Sequence, residues 1–310
     1  MLHAAEYDLL VCEKGHTVMI RDELSRRGFL AVAAASAYPA ALRAQSKKHI
    51  PVGLLIYAVL ADWKKDFDGT LKAVAQMGYE GVELTQYESW TPARAKEVRK
   101  LLDSIKLKVL ATHTEPGFFV PGDKMKTAIE LNQILGTHTV CCVRGLATTP
   151  TGIGYHAKVS DELDAWRELT DVLQKASETL KQHKMACSFH NHAVEFQPKD
   201  GIKPIDILAK SKNLLFHIDV NVCRRAGADP VAFMKQYPGK TECLLLTDGP
   251  ADANRHAPAL GKGDTPWKDV FAAAESVGGV KYYLLTHGAT ELTPLETVKR
   301  DLEQYKLIHG

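Results

Sequence analysis

The stretch "FHNHAVEF", residues 189–196, sets His190, His192 and Glu195 within six positions directly after an apolar run. Imidazoles and carboxylates are the side chains that hold divalent ions and that move protons near neutral pH. On an extended backbone His190 and His192 project to the same side. A pair of histidines satisfied by backbone hydrogen bonds at a strand end is the plainer alternative. Similar groupings recur: His113 with Glu115 in "THTEPG", His217 with Asp219 in "FHIDV", and His287 after Thr286 in "LLTHG". Asp248 closes "LLLTD", Arg144 follows "TVCCV", and Lys262 lies in "GKGD".

Each grouping also has an ordinary reading. A carboxylate that ends an apolar strand is costly to bury alone, so Asp219 needs a cation, a metal or a set of donors. His113 and Glu115 precede Pro116 and Gly117, so a turn explains them as well as a proton relay does. Glu83 in "GVEL" reads first as a structural ion-pair member, and Lys262 as a solvated loop lysine. Cys141 and Cys142 are adjacent; they face opposite sides of a strand and read as packing residues.

The elements that must position these groups alternate. From residue 50 onward eight strand candidates, "IPVGLLIYAV", "YEGVELTQY", "LKVLATHTE", "HTVCCVRGL", "MACSFHNH", "LLFHIDVNV", "ECLLLTDG" and "KYYLLTHG", are separated by segments of helical periodicity. Most are continuous apolar runs, the pattern of parallel strands covered on both faces. Helix starts are marked, as in "TPARAKEVRKLLDSIK", where Thr91 can cap and Pro92 takes the first helical position. Eight βα units in about 260 residues predict an α/β fold, a single-domain (β/α)8 TIM barrel spanning residues 46–310. A doubly wound sheet is disfavoured because no "GxGxxG" turn follows an early strand. In such a barrel the carboxyl ends of the strands carry the chemistry, and the polar groups named above fall at those ends.

The chain has 310 residues, 45% hydrophobic and 25% charged, with a formal net charge of +2. That balance gives no basic footprint for nucleic acid, and a small molecule is the expected partner. Residues 19–45 resemble a bacterial twin-arginine signal: "SRRGFL" with Arg26 and Arg27 precedes an apolar run that is too short to span a bilayer and contains Pro39. Residues 1–18 read as an upstream extension. The expectation is a periplasmic or secreted protein that meets the Tat translocase during export and keeps no stable membrane anchor after cleavage. Five cysteines follow Ala44, an odd number set mostly in apolar runs, which argues for buried small hydrophobes rather than a disulfide framework.

Beyond these local signals, "GYEGVEL" (78–84), "FHNHAVEF" (189–196), "HIDVNVCRRAGADP" (217–230) and "GKGDTPWKDVFAAAESVGGVKYYLL" (261–285) together resemble, in order, the xylose-isomerase-like barrel family of sugar phosphate isomerases and epimerases. The resemblance covers the chain from about Pro51 to its end. It implies one divalent metal ion (Mn, Mg, Zn or Co), held by carboxylates and a histidine, and a proton shifted between neighbouring carbons of a sugar. A metal stabilises the oxyanion that forms when such a proton leaves.

Carried over residue by residue, the resemblance assigns Asp219 to the metal and, from the strand-five motif, Glu195 or the neighbouring His190. The polar lining of His192, His113, His217 and His287 is assigned to catalysis, and Asp248, Lys262 and Arg144 to the substrate. Two expected ligands are replaced, because Leu245 stands where the family has histidine and Thr286 where it has glutamate. Leucine offers no lone pair, and threonine is a poor substitute for a carboxylate.

The leading expectation is a sugar or keto-sugar isomerase or epimerase, or a keto-glycoside lyase, that abstracts a proton next to a carbonyl. The periplasmic address leans toward an unphosphorylated sugar. A non-catalytic carbohydrate-binding barrel is the rival, and an abasic-site endonuclease lacks ligands for its several metals. A homo-oligomer is compatible with either.

Overall fold

The computed structural model describes residues 49–85, 87–143, 162–249, 258–287 and 290–310. The upstream extension, the signal segment and Arg144 lie outside the described residues. From residue 50 onward the strands are β1 (Val52–Leu55), β2 (Gly81–Leu84), β3 (Lys108–Thr114), β4 (Thr139–Val143), β5 (Ala186–His190), β6 (Leu214–Asp219), β7 (Thr241–Leu246) and β8 (Tyr282–Leu285). They close into a barrel in sequence order, and every neighbouring pair is parallel, with β8 returning to β1. This is the (β/α)8 barrel that the alternation predicts.

The crossovers carry the main helices α1 (Leu60–Lys65), α2 (Phe67–Met77), α3 (Pro92–Ser104), α4 (Asp123–Leu135), α5 (Leu163–Gln182), α6 (Pro204–Leu208), α7 (Val220–Arg225), α8 (Pro230–Gln236) and α9 (Trp267–Ala273), and α10 (Pro294–His309) closes the chain. Their starts follow local chemistry. The Thr91 hydroxyl accepts the Arg94 N–H at α3. Thr293 and Glu296 form a reciprocal capping box at α10. In α5 the residues Trp166, Leu169, Leu173, Ala176 and Leu180 recur every three or four positions and are all buried, a stripe that packs on the barrel wall. Among the described residues no helix is long and apolar enough to cross a membrane.

The main apolar core fills the space between strands and helices. A smaller cluster, Leu55, Ala111, Cys243, Leu245, Tyr282 and Leu284 with Leu110 against it, fills the barrel itself. Here two glycines matter. Gly53 and Gly81 face each other in register on β1 and β2, and a Cβ on either would come within 2.6 Å of the Leu110 side chain. Their missing side chains make the seat for Leu110. Cys141, Cys142, Cys187, Cys223 and Cys243 are buried and unbridged, and burial pushes all five thiols above their ordinary range. They pack as small apolar residues, as their settings in the sequence suggest.

Candidate functional site

Inside the barrel the alternation of strand side chains points Glu83, His113 and His217 toward one another from β2, β3 and β6. Glu83 is fully buried. Its Oε1 lies 2.7 Å from His113 Nδ1, and its Oε2 lies 3.0 Å from His217 Nδ1. The second contact is an ion pair rather than a well-directed hydrogen bond, since neither atom has a partner in hydrogen-bonding geometry. Burial alone would raise the Glu83 carboxyl, but the His217 and His113 rings outweigh it and hold the group well below the usual carboxylate range.

Burial likewise opposes a charge on His217. The field of Cys141, Tyr282, Cys243 and Glu83 nevertheless pushes its pKa well above the ordinary imidazole range. Of these neighbours only Glu83 carries a full charge at neutral pH, and its carboxylate is in direct contact with the His217 ring at the centre of the barrel. On its other side His217 Nε2 meets the Tyr282 hydroxyl at 2.9 Å and lies 3.8 Å from Glu242 Oε2. Glu242 in turn accepts from Thr139 and from Lys281 at the amino-terminal face. A chain of polar contacts therefore runs the length of the barrel.

His113 is the end of that chain nearest the carboxyl face. The ionised Glu83 carboxylate can only accept, so His113 Nδ1 donates to it and Nε2 is the ring nitrogen left outside this contact. His113 borders a cavity of about 290 Å³ lined also by Thr85, Glu88, Ser89, Thr114, Glu115, Phe118 and Val143. A larger cavity of about 780 Å³ opens at the amino-terminal ends of the strands, beside Lys108, Thr139 and Glu242. The catalytic end of such barrels is the other one.

The residues of the 189–196 stretch sit close by in a different arrangement from the one the spacing suggests. His190 ends β5 in register with His217, and its ring stacks on His192 at 5.2 Å between centroids and 12° between planes. Burial first, and then His192, lower the His190 pKa well below the ordinary range, which keeps this ring neutral. Its Nδ1 has no hydrogen-bond partner. Glu195 folds back, its Oε2 accepting the His192 N–H at 2.6 Å, and burial raises its pKa to about 7. Asn191 bridges β5 and β6 through its Oδ1, which accepts the Asp219 N–H.

Asp219 caps α7: its Oδ1 accepts the Val222 N–H and the Thr247 hydroxyl, and burial raises its pKa. Leu245 is fully buried inside the barrel, in register with Asp219 on one side and Leu284 on the other. Asp248 spends both oxygens on its own loop. Oδ1 accepts from the Gly249 N–H and the Thr265 hydroxyl, and Oδ2 from the N–H groups of Gly261 and Gly263 and from Trp267 Nε1. His287 Nδ1 is held at 2.6 Å by Asp301 of α10, and Lys262 is exposed in the loop between.

These placements decide how well a divalent ion fits. Among the described residues no group of three or more His, Cys, Asp or Glu side chains could hold one. Glu195 Oε2 and Asp219 Oδ1 already accept backbone or hydroxyl protons, Glu195 Oε1 is buried without a partner, and Leu245 fills the neighbouring inward position. The ion expected by resemblance thus finds no donor set here, and no chemical step is derived through it. Tyr282 and Glu242 are interior polar residues that the motifs passed over, and Glu83, read from the sequence as a structural ion-pair member, sits at the centre of the network with them. Their one sequence signal is a charge or hydroxyl inside an otherwise apolar strand, as in "GVEL" and "ECLLL".

The sequence profile of the family described as Xylose isomerase-like TIM barrel matches residues 71–305. No curated protein sequence matches the chain. Among solved structures, a sugar phosphate isomerase/epimerase from Parabacteroides distasonis ATCC 8503 superposes with a TM-score of 0.66 at 19% identity, over 84% of this chain and 95% of that one. A D-psicose 3-epimerase, crystallised in the presence of D-fructose, gives 0.59 at 12% identity over 84% and 100%. An L-ribulose 3-epimerase gives 0.57 at 17% identity over 84% and 94%. Identities this low establish a common fold and leave the reaction to the site.

Proposed function

Because the chain belongs to the xylose isomerase-like TIM barrel family, we propose that it is a sugar or keto-sugar isomerase or epimerase in which His113, oriented by Glu83, transfers the proton next to the carbonyl. His113 Nε2 takes the proton, and the electron pair of the broken C–H bond moves toward the carbonyl to give an enediolate. Passage of the neighbouring hydroxyl proton to the former carbonyl oxygen, with return of the carbon-bound proton to the neighbouring carbon, isomerises the sugar, and delivery of a proton to the opposite face of the same carbon by a second group epimerises it. Glu83 holds the ring and its tautomer and stabilises the imidazolium while the proton is on it. The stacked pair His190 and His192 supplies the second proton-carrying group. The twin-arginine resemblance of residues 19–45 goes with a periplasmic or secreted site of action.

The observation that carries this reading is the Glu83 carboxylate in contact with His113 Nδ1, an arrangement that leaves one imidazole nitrogen basic at the edge of a cavity on the catalytic face. Its test is hydrogen exchange in D2O, followed by proton NMR at the carbons flanking the carbonyl of a keto-sugar. Wild-type protein exchanges these hydrogens, and His113→Gln slows the exchange by about 100-fold or more. Equal rates in the two proteins would overturn the assignment. A second reading, a barrel that binds carbohydrate without turning it over, is favoured by the lack of a donor set for a metal among the described residues. It expects binding with no exchange by the wild-type protein.

A further inference from the structure

The larger cavity, at the amino-terminal ends of the strands, takes no part in the proton transfer, yet five cationic side chains line it. Arg99, Lys106, Lys108, Lys184 and Lys281 stand there against two carboxylates, Asp103 and Glu242. Those two are already committed. Asp103 holds Arg99 at 2.8 Å, and Glu242 accepts from Lys281 at 2.9 Å. Among the described residues the ammonium groups of Lys106, Lys108 and Lys184 make no ion pair or hydrogen bond, so three uncompensated like charges border one space.

An independent observation lies in the backbone. Just beyond the ends of α3 and α5, Lys106 and Lys184 hold left-handed φ values of 57° and 60°, where a Cβ is disfavoured and glycine is the ordinary residue. Gly78 and Gly136 fill that position after α2 and α4. Gly136 also admits the Arg99 guanidinium to the cavity wall, since a Cβ there would come within 1.9 Å of Nη1. A lysine at a helix end is commonly explained by a bond to the last carbonyls, and Lys240 makes such bonds to Ala209 and Ser211. Lys106 and Lys184 make none among the described residues, so helix capping does not account for them.

We infer that this cavity is a binding site for a small multivalent anion, a polyphosphate or polycarboxylate, held by Lys106, Lys108 and Lys184. Their long, flexible stems let the three ammonium groups close on one ligand as point charges, and about 780 Å³ leaves ample room for it. The inference goes beyond the proposed function and does not depend on it.

Isothermal titration calorimetry on the full chain in low-salt buffer tests it, with inorganic pyrophosphate and citrate as probes. At least one of the two is expected to bind with a dissociation constant of about 0.1 mM or below, and about tenfold or more tighter than acetate. The double variant Lys106→Gly with Lys184→Gly weakens that binding by about tenfold or more. It melts no earlier than wild type, because glycine relieves both left-handed positions. Lys175→Ala, which removes an exposed α5 lysine outside the lining, leaves the affinity within about twofold. Pyrophosphate alone marks a polyphosphate ligand and citrate alone a polycarboxylate, and either supports the site. No binding of either probe, an affinity unmoved by the double variant, or an equal loss from Lys175→Ala would each overturn it. So would a double variant that melts earlier, since the two lysines would then serve the fold.

Discussion

A carboxylate with no exposure persists inside a barrel only where charge or donors meet both of its oxygens, and Glu83 meets one imidazole on each. The motif that draws the eye in the sequence, with His190, His192 and Glu195, turns out to be shaped largely by the turn it forms. Glu195 closes that turn, and its raised pKa makes it a pH-dependent liability. An acid whose folded pKa lies above its unfolded one contributes fully only below the unfolded value. Between about 4.5 and about 7 the unfolded chain releases the proton while the folded chain retains it, so stability falls as pH rises through that window. Urea unfolding at pH 5 and pH 8 should show wild type losing about 1–3 kcal/mol more than Glu195→Gln across the interval. Equal losses would show that Glu195 does not titrate there. That Glu83 is a buried charge was legible in "GVEL"; its partners were not, because they arrive from β3 and β6 and only barrel closure brings them in.

Elements were easier to read than sites. All eight strand candidates overlap observed strands, but several overrun the carboxyl end, as "LLFHIDVNV" does where β6 stops at Asp219 and α7 begins at Val220. The apolar residues continue into the helix, so hydrophobicity marks no boundary; the Asp219 cap does. The loop from β7 to α9 shows how a carboxylate at a strand end can organise an element. Asp248 accepts five hydrogen bonds from the loop that follows it, and a Cβ on Gly263 would collide with Asp248 Oδ1. Replacing Asp248 by Asn turns an NH2 toward donors, so a loss of about 2–4 kcal/mol is expected in denaturant unfolding. A change below about 0.5 kcal/mol would mean that water replaces those contacts.

For the whole molecule the two ends of the barrel divide the work. At the amino-terminal end the partly buried Leu110 sits on Gly53 and Gly81 beside the larger cavity, whereas His113 and its cavity belong to the carboxyl end. Leu110→Ala should therefore cost about 2–4 kcal/mol of stability while leaving the exchange rate of folded protein within about twofold; a large drop in that rate would tie the two ends together. The alternation of strand and helix was enough to announce this architecture, because each βα unit must bury both faces of its strand. The reaction was less legible, since the residues that matter are set by which strands become neighbours across the barrel axis.

The five sealed thiols carry a consequence for the redox settings the folded barrel can tolerate. None is bridged and all are held in their protonated, unreactive form by burial. Once folded, this part of the chain keeps the same covalent structure in a reducing cytosol and beside an oxidant, and needs neither an oxidase nor a reductase to mature.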